Sequence, residues 1–132
     1  MSGCLRTEVE QLHPNGGEAM ASDVIDSRFE KAIEIISECA RTCTWCADWD
    51  IRMADATMVE CARLCLDCAD VCATCTTLLT RESSVYGAFC RLCAEICDAC
   101  AAECAQHAHH EHCRACAEAC TRCAEECRQL AA

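Results

Sequence analysis

From about residue 23 to the end of the chain, apolar positions return every three or four residues. The clearest stretch runs from Cys90 to Cys127. Cysteines fall at 90, 93, 97, 100 and 104, then at 113, 116, 120, 123 and 127, so both runs step 3, 4, 3, 4. Residues at these spacings share one face of a helix. The same step carries Cys39, Cys43 and Cys46, with Ile36, Ala32, Phe29 and Ile25 in register before them. It also carries Cys61, Cys65, Cys68, Cys72 and Cys75, with Met58 before and Leu79 after. Tyr86 precedes Cys90 in register, His107 follows Cys104, and His109 leads into Cys113.

This pattern predicts four helices over about 23–48, 55–80, 84–107 and 109–130. Ser22 or Asp23 can cap the first, and Ser83 or Ser84 the third. Trp49, Asp50 and Met53 fall in the first connection. Helices of roughly 22–27 residues would be about 35–40 Å long, and their short connections make sequence neighbours antiparallel. The expected fold is all-α, an antiparallel up-down-up-down four-helix bundle with a cysteine-lined core. Composition agrees, because Gly is confined to Gly3, Gly16, Gly17 and Gly87, and Pro14 is the one proline. Strong helix formers fill the gaps between cysteines.

The 132 residues make one domain. Residues 1–22 read as an N-terminal tail or short extra helix around Leu5–Leu12, ended by Pro14, Asn15, Gly16 and Gly17. Residues 23–132 form the bundle. Cys4 and His13 stand outside the repeat, and Cys4 reads as a stray surface thiol. In the expected topology, one end of the bundle collects Met53, Met58, His107 and His109, with His110 and His112 close by. The other end collects Phe29, Ile25, Leu79, Tyr86 and Leu130.

Between these ends the stripe is made of thiols where a bundle normally carries leucine. Of nineteen cysteines, all but Cys4 belong to it. One or two buried cysteines would be ordinary core filler, but a continuous register of them points to soft-metal binding. Thiolate selects Cu(I), zinc or iron–sulfur clusters. Zinc takes closed sets of four ligands, which gives no reason for a continuous stripe. Iron–sulfur motifs place cysteines on loops around a cavity, and this chain offers no such loop. Cu(I) accepts two or three sulfurs and tolerates bridging, so a column of thiols can hold a column of ions. Its capacity would be on the order of 15–20. A reduced cysteine core is still apolar, so the bundle should fold before any metal arrives, unlike a zinc finger.

Thioether and neutral imidazole also bind Cu(I). Met58, His107 and His109 are therefore candidate ligands at the point where copper would be admitted. The plainer readings are a solvated loop for the histidines and core filling for Met58. His110 and His112 stand behind them as candidates. Glu103, Glu118, Glu125 and Glu126 fall between cysteines and read as solvated outer surface.

A formal charge of −11 argues against nucleic acid as a partner. No apolar run is long enough to cross a membrane. The N-terminus lacks the basic start and apolar core of an export signal, so the expected location is the cytosol, where thiols stay reduced. A thiol–disulfide enzyme or sensor would need cysteines activated by cations, yet no Lys or Arg lies in the inward register. Nor does a Ser/His/Asp or paired-carboxylate arrangement point inward, so the expected role is binding and not catalysis. A broader sink for zinc and related soft ions is the alternative.

The cysteine runs CARTCTWC, CARLCLDCADVCATC, CRLCAEICDAC and CRACAEACTRC, with the turn HAHHEHC, resemble the bacterial copper storage proteins over about residues 25–130. The resemblance implies a four-helix bundle whose interior cysteines hold many Cu(I) ions. Absence of an export signal and the high cysteine count are similar to the cytosolic branch. The resemblance further implies a homotetramer. The expected partner is copper itself, delivered by a cytosolic copper chaperone. It carries the metal-binding role to Cys39, Cys43 and Cys46; to Cys61, Cys65, Cys68, Cys72 and Cys75; to Cys90, Cys93, Cys97, Cys100 and Cys104; and to Cys113, Cys116, Cys120, Cys123 and Cys127. Cys4 lies outside the pattern.

Overall fold

The computed structural model describes residues 24–131. The expected tail, with Cys4, His13 and the proposed Ser22 or Asp23 cap, lies outside the described residues. Asp26 caps the first helix instead, its carboxylate accepting the Arg28 backbone N–H at 2.8 Å. Helix α1 spans Ser27–Met53 and stops at Ala54, which sits in the left-handed region at φ 52°. Trp49, Asp50 and Met53 are thus helical and not part of a connection. Nothing between Asp48 and Met53 breaks a helix, and Asp50 prolongs the buried step of four from Cys46.

A short 3-10 segment, Ala56–Met58, leads into α2, Val59–Thr80. Asp55 caps the segment by accepting the Thr57 N–H at 2.9 Å. Helix α3 spans Tyr86–Ala105, and its first turn is tied down by Ser83, whose carbonyl accepts from Tyr86 at 3.1 Å. Helix α4 spans Glu111–Ala131. The α3–α4 connection is therefore longer than the spacing predicted. His107 donates to the Cys104 carbonyl and His110 to that of His107, both at 2.9 Å. These tight turns break the helical register through the histidines.

Each helix packs against its sequence neighbours, and α1 closes the ring on α4. The α1–α2 and α3–α4 pairs have the most extensive contact. Ala47, Ala62, Ala69, Ala94, Ala119 and Ala124 flank the thiols, and their small side chains let neighbouring helices approach. Diagonal helices make no close backbone contact among the described residues; their cysteines meet at the axis instead. The result is the expected antiparallel four-helix bundle, with no strand among the described residues.

Among the described residues, three large side chains are fully buried: Ile36, Met58 and Leu79. Ile36 and Leu79 lie on the half of the bundle away from the histidine turn. There, Phe29 meets Tyr86 edge-on with ring centroids 4.8 Å apart, and Leu130 packs alongside. Ile25 does not join them. It precedes α1 and is 37% exposed, because the helical register that would turn it inward starts after it. Two of the acidic residues expected on the outer faces are also partly withdrawn from water. Glu126 is buried, with Lys31 3.9 Å away, and Glu103 pairs with His107 at 3.1 Å. Arg122–Glu38 and Arg128–Asp98 bridge helices on the exposed surface, where such pairs contribute under about 1 kcal/mol each.

Candidate metal centre

All eighteen described cysteines are buried and free, each 0–1% exposed. Neighbouring sulfurs stand 3.5–4.0 Å apart, as in Cys43–Cys120 at 3.5 Å and Cys93–Cys97 at 4.0 Å. That is far longer than a disulfide bond and close enough for one ion to be shared. Contacts arise along a helix, as in Cys39–Cys43 at 3.9 Å, and between neighbours, as in Cys61–Cys104 at 3.6 Å. They also cross the diagonal, where Cys65 reaches Cys116 at 3.7 Å and Cys72 reaches Cys123 at 3.8 Å.

Sets of four sulfurs lie within 4.8 Å of one another at successive levels. Starting nearest the histidine turn, these are Cys46, Cys65, Cys104 and Cys116; then Cys43, Cys100, Cys116 and Cys120; then Cys39, Cys43, Cys68 and Cys120. Cys39, Cys68, Cys72 and Cys97 follow, and then Cys72, Cys93, Cys97 and Cys123. Each set shares at least one cysteine with the next. The donors therefore form one ladder and not a row of separate boxes. A tetrathiolate of zinc would carry two negative charges into this dry interior, a strongly unfavourable burial. A Cu(I) ion balanced by one thiolate adds none.

At the end that carries the histidine turn, Asp50 and His112 make a buried pair that the spacing did not predict. Asp50 Oδ1 lies 2.9 Å from His112 Nε2, and the Cys113 thiol donates to the same oxygen at 3.8 Å. An ionised carboxylate can only accept, so Nε2 carries the proton and Nδ1 keeps the free lone pair. Trp49 stacks on His112 with centroids 5.9 Å apart, and Trp45 meets it edge-on at 6.3 Å. The imidazole is thus fixed on three sides. The Cys113 thiol bonds the carboxylate and not the imidazole. Burial pushes the Cys113 thiol up to about 12, with Cys61 and Asp50 reinforcing it.

The structure divides the other candidates at this end. Met58 is buried at 2% exposure beneath the α1–α2 turn. His107 is half-buried and its Nε2 is held by Glu103. His109 is exposed and lies against His110, ring centroids 4.1 Å apart; His110 in turn faces His112 at 5.6 Å. His109 is not brought to the thiols, because the turn interrupts the register that would have aimed it inward. A signal for Asp50 was available, since 43, 46 and 50 continue the 3, 4 step. None was available for His112, which stands one residue off the stripe.

Asp50 Oδ2 is buried without a partner. Burial raises the Asp50 carboxyl from 3.8 to about 6, Cys61 adds to the rise, and His112 opposes it. A carboxyl raised in the folded state favours folding while protonated, below 3.8, and that contribution is lost as pH climbs through about 6. Replacing Asp50 by Asn is accordingly expected to stabilise the metal-free protein at pH 7 by about 1–3 kcal/mol. Most of that gain should vanish toward pH ~4. Urea unfolding of both proteins across that range checks it, and a gain independent of pH would show that charge is not the cause.

Comparison with known proteins agrees with this geometry. Residues 25–132 match the family profile described as copper storage protein. The chain is 41% identical to a cytosolic copper storage protein from Streptomyces lividans, solved during copper loading with five coppers. That match covers 80% of this chain and 92% of the other at a TM-score of 0.74. Copper storage protein 3 from Bacillus subtilis, solved without metal, is 40% identical over 78% of this chain and 98% of its own, with a TM-score of 0.72. A cysteine-rich protein of Bacillus subtilis, YhjQ, is 39% identical over 61% of this chain and 75% of its own length. With its thiol ladder intact and the match running through all four helices, the chain belongs to the copper storage protein family.

Proposed function

We propose that this protein stores Cu(I) in the cytosol, holding many ions on the thiolates of a bundle that is formed before metal arrives. The ladder of sulfur sets sharing members supports this most directly, because shared cysteines permit bridging between successive ions. All the cysteines from Cys39 to Cys127 serve as ligands. Copper is admitted at the end that carries Met58, His107, His109 and His112. Of these, His112 is best placed for a first contact, since Asp50 leaves its Nδ1 lone pair available.

The protein acts by sequestration and carries out no turnover. A cytosolic copper chaperone with its own thiols is the natural donor, passing Cu(I) by ligand exchange, and the working assembly is a homotetramer. The unit responsible is the bundle of residues 23–132, with residues 1–22 outside it.

An anaerobic titration of the fully reduced protein with Cu(I), against a competing chelator, tests this reading. Uptake of more than about ten ions per chain is expected, with helix content unchanged from the metal-free protein. Zinc present in excess should not displace the copper. Saturation near four ions, or helix that forms only as metal is added, would sink the proposal and favour discrete structural sites.

A further inference from the structure

Sulfurs in the column also close into triangles. Cys39, Cys43 and Cys120 are separated by 3.9, 3.7 and 3.5 Å. Cys43, Cys116 and Cys120 are separated by 3.6, 4.0 and 3.5 Å. Farther from the histidine turn, Cys68, Cys72 and Cys97 stand 3.9, 3.6 and 3.7 Å apart. Cys72, Cys93 and Cys97 stand 3.7, 3.7 and 4.0 Å apart. The first two triangles share an edge, and so do the last two. One triangle from each pair can therefore be used at once, giving two independent three-sulfur sites.

Three sulfurs at van der Waals contact form the base of a pyramid whose apex is a single atom bonded to all three. Each triangle is assembled from two helices, so the base exists before any guest arrives. All eight of these cysteines are fully buried, and no Lys, Arg, Asp or Glu side chain is within hydrogen-bonding reach of them among the described residues. Burial of this kind favours neutral thiols and penalises any guest that leaves net charge behind. The guest that fits is a thiophilic atom of valence three that arrives uncharged and stays uncharged.

We infer that the thiol column is also a receptor for trivalent arsenic, taken up as neutral arsenous acid. In this condensation, 3 RSH + As(OH)3 gives As(SR)3 + 3 H2O. Three As–O bonds break and three As–S bonds form. Each departing hydroxide leaves as water with the proton of one thiol. Arsenic remains trivalent, no electron is transferred, and no charge enters the core. Cu(I) differs in kind, because each ion that binds one thiolate must expel a proton to keep the interior neutral. The inference draws on the same cysteines as copper storage but does not depend on it.

The test uses the full-length reduced protein without oxygen, titrated with neutral arsenous acid (arsenic trioxide dissolved in water) and followed by native mass spectrometry. At least two arsenics should bind per chain, one for each pair of triangles. Each should add the mass of one arsenic less three hydrogens. In unbuffered solution arsenous acid should release no protons, whereas Cu(I) added to the same protein should release about one per ion. Cys120→Ser disables both triangles of the first pair and Cys72→Ser both of the second. Each should lose one bound arsenic, and the double variant should lose two. Cys120→Ala and Cys72→Ala replace them if the buried hydroxyl unfolds the chain, as shown by loss of helix. Three results would overturn the inference: adducts that keep a hydroxyl on arsenic, an unchanged count in the folded double variant, or no adduct on protein that still binds Cu(I).

Discussion

Copper loading is expected to make this protein far more resistant to heat. A ligand that binds only the folded state adds about 2.7 kcal/mol per site at a hundredfold excess over its Kd. Ten or so such sites would add on the order of 25 kcal/mol, more than the whole stability of an ordinary domain. Thiols of the unfolded chain also bind Cu(I), which removes part of this gain. What the folded state keeps for itself is the geometry: the diagonal contacts of Cys65 with Cys116 and Cys72 with Cys123 exist only when four helices are closed around one axis. The metal-free protein should therefore melt in an ordinary transition, while the loaded protein stays helical beyond about 90 °C. Circular dichroism on matched anaerobic samples decides it. Equal melting temperatures would place the copper on sites that do not require the bundle.

A second large effect is expected at the opposite end. Leu79 is fully buried and is one of three large side chains that are so among the described residues. Most of the remaining core is cysteine, whose smaller side chain supplies less apolar area. Leu79→Ala should cost about 2–5 kcal/mol in the metal-free protein, the range for emptying a leucine-sized volume in a packed core. In a domain whose total is about 5–15 kcal/mol, that is a large share of what holds it together. Denaturant unfolding measures the loss directly. Cu(I) capacity of the variant that remains folded should not change, because no thiol is removed. A cost below about 1 kcal/mol would mean that the thiol column, and not the hydrocarbon plug, carries the stability of that end.

Much of this architecture was legible before any coordinates. The 3, 4 step of the cysteines determined four amphipathic helices, their inward face and the chemical character of the core. Short connections determined the antiparallel order. The reason is local: a side chain's place on a helix follows from its spacing, so register can be counted along the chain wherever the helix continues. Counting failed where continuity failed. His109 was carried inward across a turn that breaks the register, and Ile25 was carried inward from before the helix begins. Asp50 was assigned to a loop although it continued the count.

Tertiary structure alone decided three things. It brought Asp50 from α1 to His112 on α4, sixty-two positions later, and so fixed which imidazole nitrogen is free. It set the sulfur–sulfur distances across the diagonal, which depend on how closely the helices approach and not on spacing within any one of them. And it linked the sets of four into a ladder, because antiparallel neighbours offset their cysteines along the axis by amounts no single helix encodes. Sequence specified which atoms would face inward; only the packing of four helices specified which of them would touch.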